Sequence, residues 1–268
     1  MDVPTMFEPY NVEPDIDVLP SYFPVPGYDL LPINAFVLKA SQPVLVDSGM
    51  MCLNKEFMEK LSSVIDPADL RWLWLTHADP DHVGSLWSIL EAVPKLRLIT
   101  TFIGLGRLNV YKPFPMDRVY LLNPGQTIDV GDRVLKAVKP PSFDSPETTG
   151  FYDAKSKAFF CADCFGALIS EPQERAAGIA SEKLKEGMTI WATIDAPWLH
   201  IVDKALFAKN SNIIRDMSAV HVLSAHLPAA YNMTDTLLDN LSAVPGAEPF
   251  IGPDQKALEE MLKLVTGR

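Results

Sequence analysis

Cysteine is scarce in this sequence: Cys52, Cys161 and Cys164 are the only three in 268 residues. That is too few to staple a disulfide scaffold, and it agrees with a reducing compartment. Long apolar runs are also missing. The longest break off within about ten residues, well short of the ~20 needed to cross a bilayer, which excludes a transmembrane helix and a membrane partner. The opening stretch, MDVPTMFEPYNVEPDID, has neither a basic start nor an apolar core, so it does not read as a secretory signal and the expected location is the cytoplasm. Basic residues are outnumbered, 23 against 34 acidic ones, for a formal net charge of -11. A nucleic-acid backbone is excluded as a partner on that ground, and the excess acid reads as solvated surface. No Gly/Ser linker, low-complexity tract or short repeat divides the chain.

What remains is ordinary globular material, with 48% hydrophobic and 21% charged residues. One domain over residues 1–268 is expected, with residues 1–30 as an irregular lead-in or edge hairpin. From Ile33, INAFVLKA and QPVLVDSG read as paired strands separated by a polar turn. Leu53, Phe57, Leu61 and Ile65 then recur at steps of four and line one helical face. The run RWLWLTH is apolar on both faces, as in a strand buried between layers, so Trp72 and Trp74 belong to the core. A helix follows His82 on Val83, Leu86, Trp87 and Leu90, closed by Pro94. Further strands are expected at RLITT, RVYLL, RVLKAV, GFYDA, AFFCAD and AVHVLSAH, and helices near 181–187 and 200–215. A closing helix starts at Pro253 and Asp254 and carries Leu258, Met261, Leu262 and Val265. Two strand-rich blocks, each followed by helices, suggest a sheet sandwich covered by helices.

The chemistry concentrates in Leu75-Thr76-His77-Ala78-Asp79-Pro80-Asp81-His82, where two imidazoles and two carboxylates fall between a buried strand and a helix. A loop in that position turns alternate side chains toward one point, as a metal requires. Imidazole mixed with carboxylate suits Fe, Mn or Zn better than Mg or Ca, which prefer oxygen alone. A helix start capped by Asp would leave both histidines unexplained. Asp163 ends the apolar run AFFCAD, where a carboxylate is costly to bury without a cation. His226 follows VHVLSA at another strand end.

The block HADPDH resembles the metal-binding signature of the metallo-β-lactamase superfamily. The strand end VLVDSG, the hairpin GQTIDVGDRVLKAV, the block FDSPETTGFYDAKSKAFFCADCFGA and the loop SAHLPAA follow in that family's order, so the resemblance covers residues 30 to 232 or so. It implies an α/β fold, the αββα four-layer sandwich. Hydrolases of the superfamily carry a histidine where this chain has Asp79. A carboxylate there, and the ADCFGA block, are more similar to the diiron domain of flavodiiron proteins and their oxygen-binding relatives.

Carried over position by position, the resemblance implies two metal ions, iron first and manganese or zinc after it. His77, Asp79 and Asp144 would hold one, Asp81, His82 and His226 the other, and Asp163 would bridge. Position 144 departs from the family, which has a histidine before the Ser/Trp-Pro pair; Asp144 either ligates through oxygen or forms a surface turn. Four carboxylates and three imidazoles would favour hard, ferric-type ions. Asp47, at the end of VLVD, either orients the metal loop through hydrogen bonds or forms a simple turn. Cys161 and Cys164 flank Asp163 but point to opposite sides by strand alternation, so both read as buried small residues. His200 and His221 read as core or surface histidines.

The resemblance implies a non-haem diiron protein that binds or reduces dioxygen or nitric oxide. With Arg268 the sequence stops before any flavodoxin domain, so no flavin is expected in this chain and a separate flavoprotein or other donor would supply electrons. A small-molecule ligand is the expected partner, and a homodimer is left open. The alternatives are metal-dependent hydrolysis, which needs only the site itself, and a non-catalytic metal-binding or sensor role.

Overall fold

The fold is described from a computed structural model that covers residues 3–266. Residues 1, 2, 267 and 268, and side chains from 264 onward, Val265 among them, lie outside that description. Two sheets form the centre. The first contains β1 (Thr5–Met6), β2 (Tyr10–Glu13), β3 (Ile16–Pro24), β4 (Leu30–Leu38), β5 (Val44–Val46), β6 (Trp72–Trp74), β7 (Arg97–Thr100) and β8 (Val119–Leu121). It runs in the order β1-β3-β4-β5-β6-β7-β8, with β2 also on β3. Strands β5 to β8 are parallel, and α1 (Asn54–Val64), α2 (Leu86–Ala92) and α3 (Phe102–Tyr111) occur in their connections.

The second sheet contains β9 (Thr127–Asp129), β10 (Val134–Val138), β11 (Gly150–Asp153), β12 (Ala158–Phe160), β13 (His221–Leu223) and β14 (Ala230–Tyr231), hydrogen-bonded in that order. Only β12 and β13 pair in parallel there. Between them lie α4 (Ser181–Asp195) and α5 (Lys204–Asp216); α6 (Thr234–Ala243) and α7 (Gln255–Thr266) complete the chain.

Three apolar clusters separate these elements into four layers. Val46, Trp72, Trp74 and Ile99 of the first sheet meet Leu135, Phe151, Phe160 and Leu223 of the second. Phe57, Leu61, Leu86, Ile89 and Leu105 cover the outer face of the first sheet. Leu184, Met188, Phe207, Ile214 and Leu237 cover the second. This is the αββα sandwich, and each inner strand is buried on both faces because helices or a sheet lie against each.

The start of the chain is corrected. Of the two alternatives for the described residues before 30, the hairpin is the one present: β2 and β3 form it, but β3 is not a loose edge, being buried along most of its length and paired to β4 from Ile16↔Leu38 to Pro24↔Leu30. Asp17 interrupts its apolar pattern yet is buried, held by Lys39 at 2.7 Å and bonded by Asn11. Two helices were not foreseen, α3 and α6, and α4 runs eight residues beyond the expected end at 187. Among the described residues no helix is long and apolar enough to cross a membrane.

Trp74 joins the two sheets. Its ring is buried against Phe151 at 4.5 Å, and its indole donates to the Thr149 carbonyl at 2.9 Å. Trp74→Ala should therefore destabilise by ~3–5 kcal/mol, as other buried aromatic truncations do. Chemical denaturation of both proteins checks this; a loss under about 1 kcal/mol would show that the inter-sheet layer closes around the gap.

Candidate metal centre

Four loops meet at the carboxyl ends of the strands. The loop after β6 carries His77, Asp79, Asp81 and His82; the loop after β10 carries Asp144; those after β12 and β13 carry Asp163 and His226. In each case the strand stops before the ligand candidates, so within RWLWLTH, AFFCAD and AVHVLSAH the strands are Trp72–Trp74, Ala158–Phe160 and His221–Leu223. Strand alternation consequently does not govern Cys161 and Cys164, which follow the end of β12. Both are buried, and burial pushes both thiols up, Cys164 to about 12, so they are protonated.

Asp163 sits in the middle. Its Oδ2 lies 3.1 Å from His77 Nε2, and its Oδ1 lies 3.1 Å from His82 Nε2 and 3.2 Å from His226 Nε2. The two oxygens of one carboxylate thus face different imidazole sets, as bridging requires. Asp81 Oδ2 stands 3.7 Å from His82 Nε2 and 3.5 Å from His226 Nε2. Asp144 Oδ1 stands 3.9 Å from His77 Nε2, and His77, Asp79 and Asp144 converge within 4.8 Å. All seven expected residues are therefore brought together, with the histidines and Asp163 as a buried floor. Asp79, Asp81 and Asp144 form a rim whose side chains keep 31%, 27% and 24% exposure.

Hydrogen bonds fix which ring nitrogen faces inward. Asp47 Oδ1 accepts from the Thr76 amide and Oδ2 accepts from the Thr76 hydroxyl, both at 2.8 Å. His82 Nδ1 lies 2.9 Å from Asp47 Oδ2 and so donates to it. Because the Thr76 hydroxyl spends its proton on Asp47, it is left to accept from His77 Nδ1 at 3.1 Å. His226 Nδ1 donates to the Pro32 carbonyl at 2.8 Å. With Nδ1 engaged in this way, each imidazole turns Nε2 to the centre, where its lone pair becomes available to a metal once the Nε2 proton is lost. Asp47 does this from a left-handed backbone, φ 58, which an L residue holds only under strain.

The other loops are pinned as firmly. Ala162 and Phe165, around Asp163, also take positive φ, 53 and 68. Ser224 donates to the Ala162 carbonyl and accepts from the His226 amide, each at 3.1 Å, tying the Asp163 and His226 loops together. Lys139 donates to the Ser145 and Pro146 carbonyls at 3.0 Å, Trp198 to the Phe143 carbonyl at 2.8 Å, and Thr148 to Asp144 at 3.2 Å. Gly84 closes the metal loop: a Cβ there would stand 2.2 Å from the Met50 carbonyl carbon.

Sequence reading missed three polar residues here. Arg107, on α3, donates to Asp79 Oδ1 at 2.9 Å and to Ser145 at 2.7 Å, and also pairs with the fully buried Glu147. Glu147 lay inside the quoted FDSPETTG block but no metal-ligand spacing marked it. Asp195, the last residue of α4, clusters with Asp144 and Asp163. His200 is exposed, and His221 pairs with Glu13 at 2.7 Å from the opposite end of β13, so neither belongs to the centre.

The residues fit a pair of cations. His77 Nε2, His82 Nε2 and Asp163 Oδ1 are buried and without a hydrogen-bond partner, although such groups are nearly always satisfied. Burial alone would lower all three histidines, but the charge and hydrogen bond of Asp163 together with the neighbouring Asp144, Asp81 and Asp47 charges outweigh it, so His77 is raised, His82 well raised, and His226 pushed up to about 9. Burial would raise Asp163, yet the three imidazoles hold it well below the carboxylate range. Burial, offset by His77 and reinforced by Asp163 and Asp79, raises Asp144.

A family model described as ODP family beta lactamase matches residues 31–193, well over half of the chain. The chain is 30% identical over 142 residues to the flavo-diiron protein FprA2 of Clostridium acetobutylicum, covering 52% of this chain and 35% of that one. It is 27% identical over 134 residues to the anaerobic nitric oxide reductase flavorubredoxin of Salmonella typhi, covering 50% and 28%. The solved rubredoxin oxygen:oxidoreductase of Desulfovibrio gigas matches with a TM-score of 0.75 at 17% identity, over 91% of this chain and 63% of that one. That likeness is one of fold. The chain spans less than half the length of these curated relatives.

Two expectations follow. Asp144→Ala should weaken metal binding on the His77 side by ~10-fold or more while sparing the His82 and His226 side, and Asp144→His should retain both ions. Calorimetric titration resolves this; an unchanged Asp144→Ala isotherm would make the residue a turn aspartate. The second concerns pH. His226 is pushed up to about 9 in the metal-free chain, above its unfolded value of about 6.5. The stability from its pairing with Asp163 is thus complete below about pH 6.5 and lost as pH rises toward 9. Metal affinity moves oppositely across that window, because the ion must displace the proton. Melting temperature of the metal-free chain should fall from pH 6.5 to 9 while metal affinity climbs; a rising melting temperature would refute the assignment.

Proposed function

Since the chain belongs to the ODP family of beta-lactamase-fold proteins, we propose that it carries a dinuclear non-haem iron centre that binds or reduces dioxygen or nitric oxide. The observation that carries this reading is the buried Asp163 carboxylate set among three inward-facing imidazoles, with a carboxylate, Asp79, at the position where hydrolases have histidine. The names of its relatives, a nitric oxide reductase and an oxygen:oxidoreductase, supply the substrate class.

His77, Asp79 and Asp144 would hold one ion and Asp81, His82 and His226 the other, with Asp163 between them. When bound, the pair of ions supplies a reversible store of electrons for a diatomic ligand. The protein's own residues do the rest. Asp47 and Thr76 keep the imidazole lone pairs aimed inward. Trp191 packs on His226 at 4.5 Å and donates to the Asp163 carbonyl at 3.3 Å, which shields that wall from water. Asp79, Asp81 and Asp144 form the half-open side of the centre, from which a small ligand would approach. Arg107, paired to Asp79, offsets negative charge at that opening. Electrons would come from a flavin-bearing or comparable donor.

Anaerobic loading with ferrous iron, followed by oxygen or nitric oxide, should give gas uptake that continues only when an external flavin or flavodoxin reductant is supplied. The parallel control assays zinc- and manganese-loaded protein against thioesters, lactones, β-lactams and phosphodiesters. Rapid hydrolysis of any of these, with an iron form that takes up neither gas, would replace this reading with two-metal hydrolysis.

A further inference from the structure

Asp195 is the last residue of α4, and its carboxylate lies within 4.8 Å of ligand atoms of both Asp144 and Asp163. Among the described residues it makes no hydrogen bond and no ion pair with a basic side chain. A helix carboxyl end already carries partial negative charge, so a carboxylate there, facing two more, is disfavoured three times over. The cationic side chains of the centre are committed elsewhere, Lys139 to the Ser145 and Pro146 carbonyls and Arg107 to Asp79 and Glu147. Beside this acidic group, His77 Nε2 is buried and unpartnered, 3.9 Å from Asp144 Oδ1, which independently marks the spot for a cation.

We propose that Asp195 is an additional oxygen ligand on the His77 side, so that the two half-sites are chemically unequal and select different ions. This rests on the dinuclear reading above. One half-site offers His77 with Asp79, Asp144, Asp163 and Asp195, a single nitrogen among carboxylates. The other offers His82 and His226 with Asp81 and Asp163. Hard ions such as Mn(II) are matched to the oxygen-rich half-site, and Zn(II), a borderline ion with strong affinity for imidazole, to the nitrogen-rich one. In formal charge, the five carboxylates are balanced by one trivalent and one divalent ion, whereas four are balanced by two divalent ions. The arrangement is thus suited to an unlike pair.

The test uses the metal-free full chain, given one equivalent of Zn(II) and an excess of Mn(II). Anomalous scattering at the two metal edges should place zinc between His82 and His226 and manganese beside Asp195, with an Asp195 oxygen in the manganese shell. Asp195→Asn, nearly isosteric, should weaken Mn(II) binding ~10-fold or more and leave Zn(II) binding unchanged. Two ions bound by the wild-type chain with Asp195 outside both shells, or equal Mn(II) affinity in a folded Asp195→Asn, would overturn the inference and leave the dinuclear reading standing. A wild-type chain that holds one ion only would overturn both. If Asp195→Asn does not fold, the anomalous map of the wild-type chain decides alone.

Discussion

A carboxylate placed in the protein interior must find positive charge there, and Asp163 finds it at the nitrogens of three buried imidazoles. Neither partner is tolerable alone at this depth, since removing a charge from water costs several kcal/mol even after relaxation. The rest of the centre is arranged around that requirement. Asp47, Ala162 and Phe165 all hold left-handed backbone conformations, each a strain of order 1–3 kcal/mol that survives only where the surroundings over-determine it. Those three residues aim the loop after β5 and the loop around Asp163, and the sandwich behind them provides the rigidity that makes the strain bearable.

The sequence was most legible where chemistry and periodicity coincide. His77 through His82 could be read because four metal-ligating side chains in so short a span have no structural explanation, and the apolar run before them marked a strand end. Asp163 and His226 could be read for the same reason, as polar groups that close apolar strands. Legibility failed where local propensity was weak. The second half of α4, MTIWATID, contains β-branched and aromatic residues of modest helix propensity, so the helix looked finished before Asp195 came into view. FIGLGRLNVY has two glycines and gave no sign that α3 would bring Arg107 to the centre. Asp17, Pro20 and Ser21 hid β3, because burial of Asp17 depends on Lys39 and Asn11, contacts that no pattern within the strand announces.

Arg107 also gives a physical reason for the carboxylate at position 79. A carboxylate can accept from a guanidinium on one oxygen and keep the other free, which a metal-binding imidazole cannot do. Asp79 therefore links the rim of the centre to α3 and, through Arg107, to the buried Glu147 in the same loop as Asp144. A change on the outer surface of α3 has a short mechanical route to the ligands, through one ion-paired network.

The origin of the candidate ligands has a further consequence. His77, Asp79, Asp81 and His82 leave the edge of one sheet, while Asp144, Asp163 and His226 leave the other. Ions held among them would act as rivets through the two halves of the sandwich, and the sheets could not part without shedding them. Release of the cargo and disassembly of the fold would then be one event, so that the lifetime of the bound ions is set by the breathing of the whole molecule and not by ligand exchange at its surface.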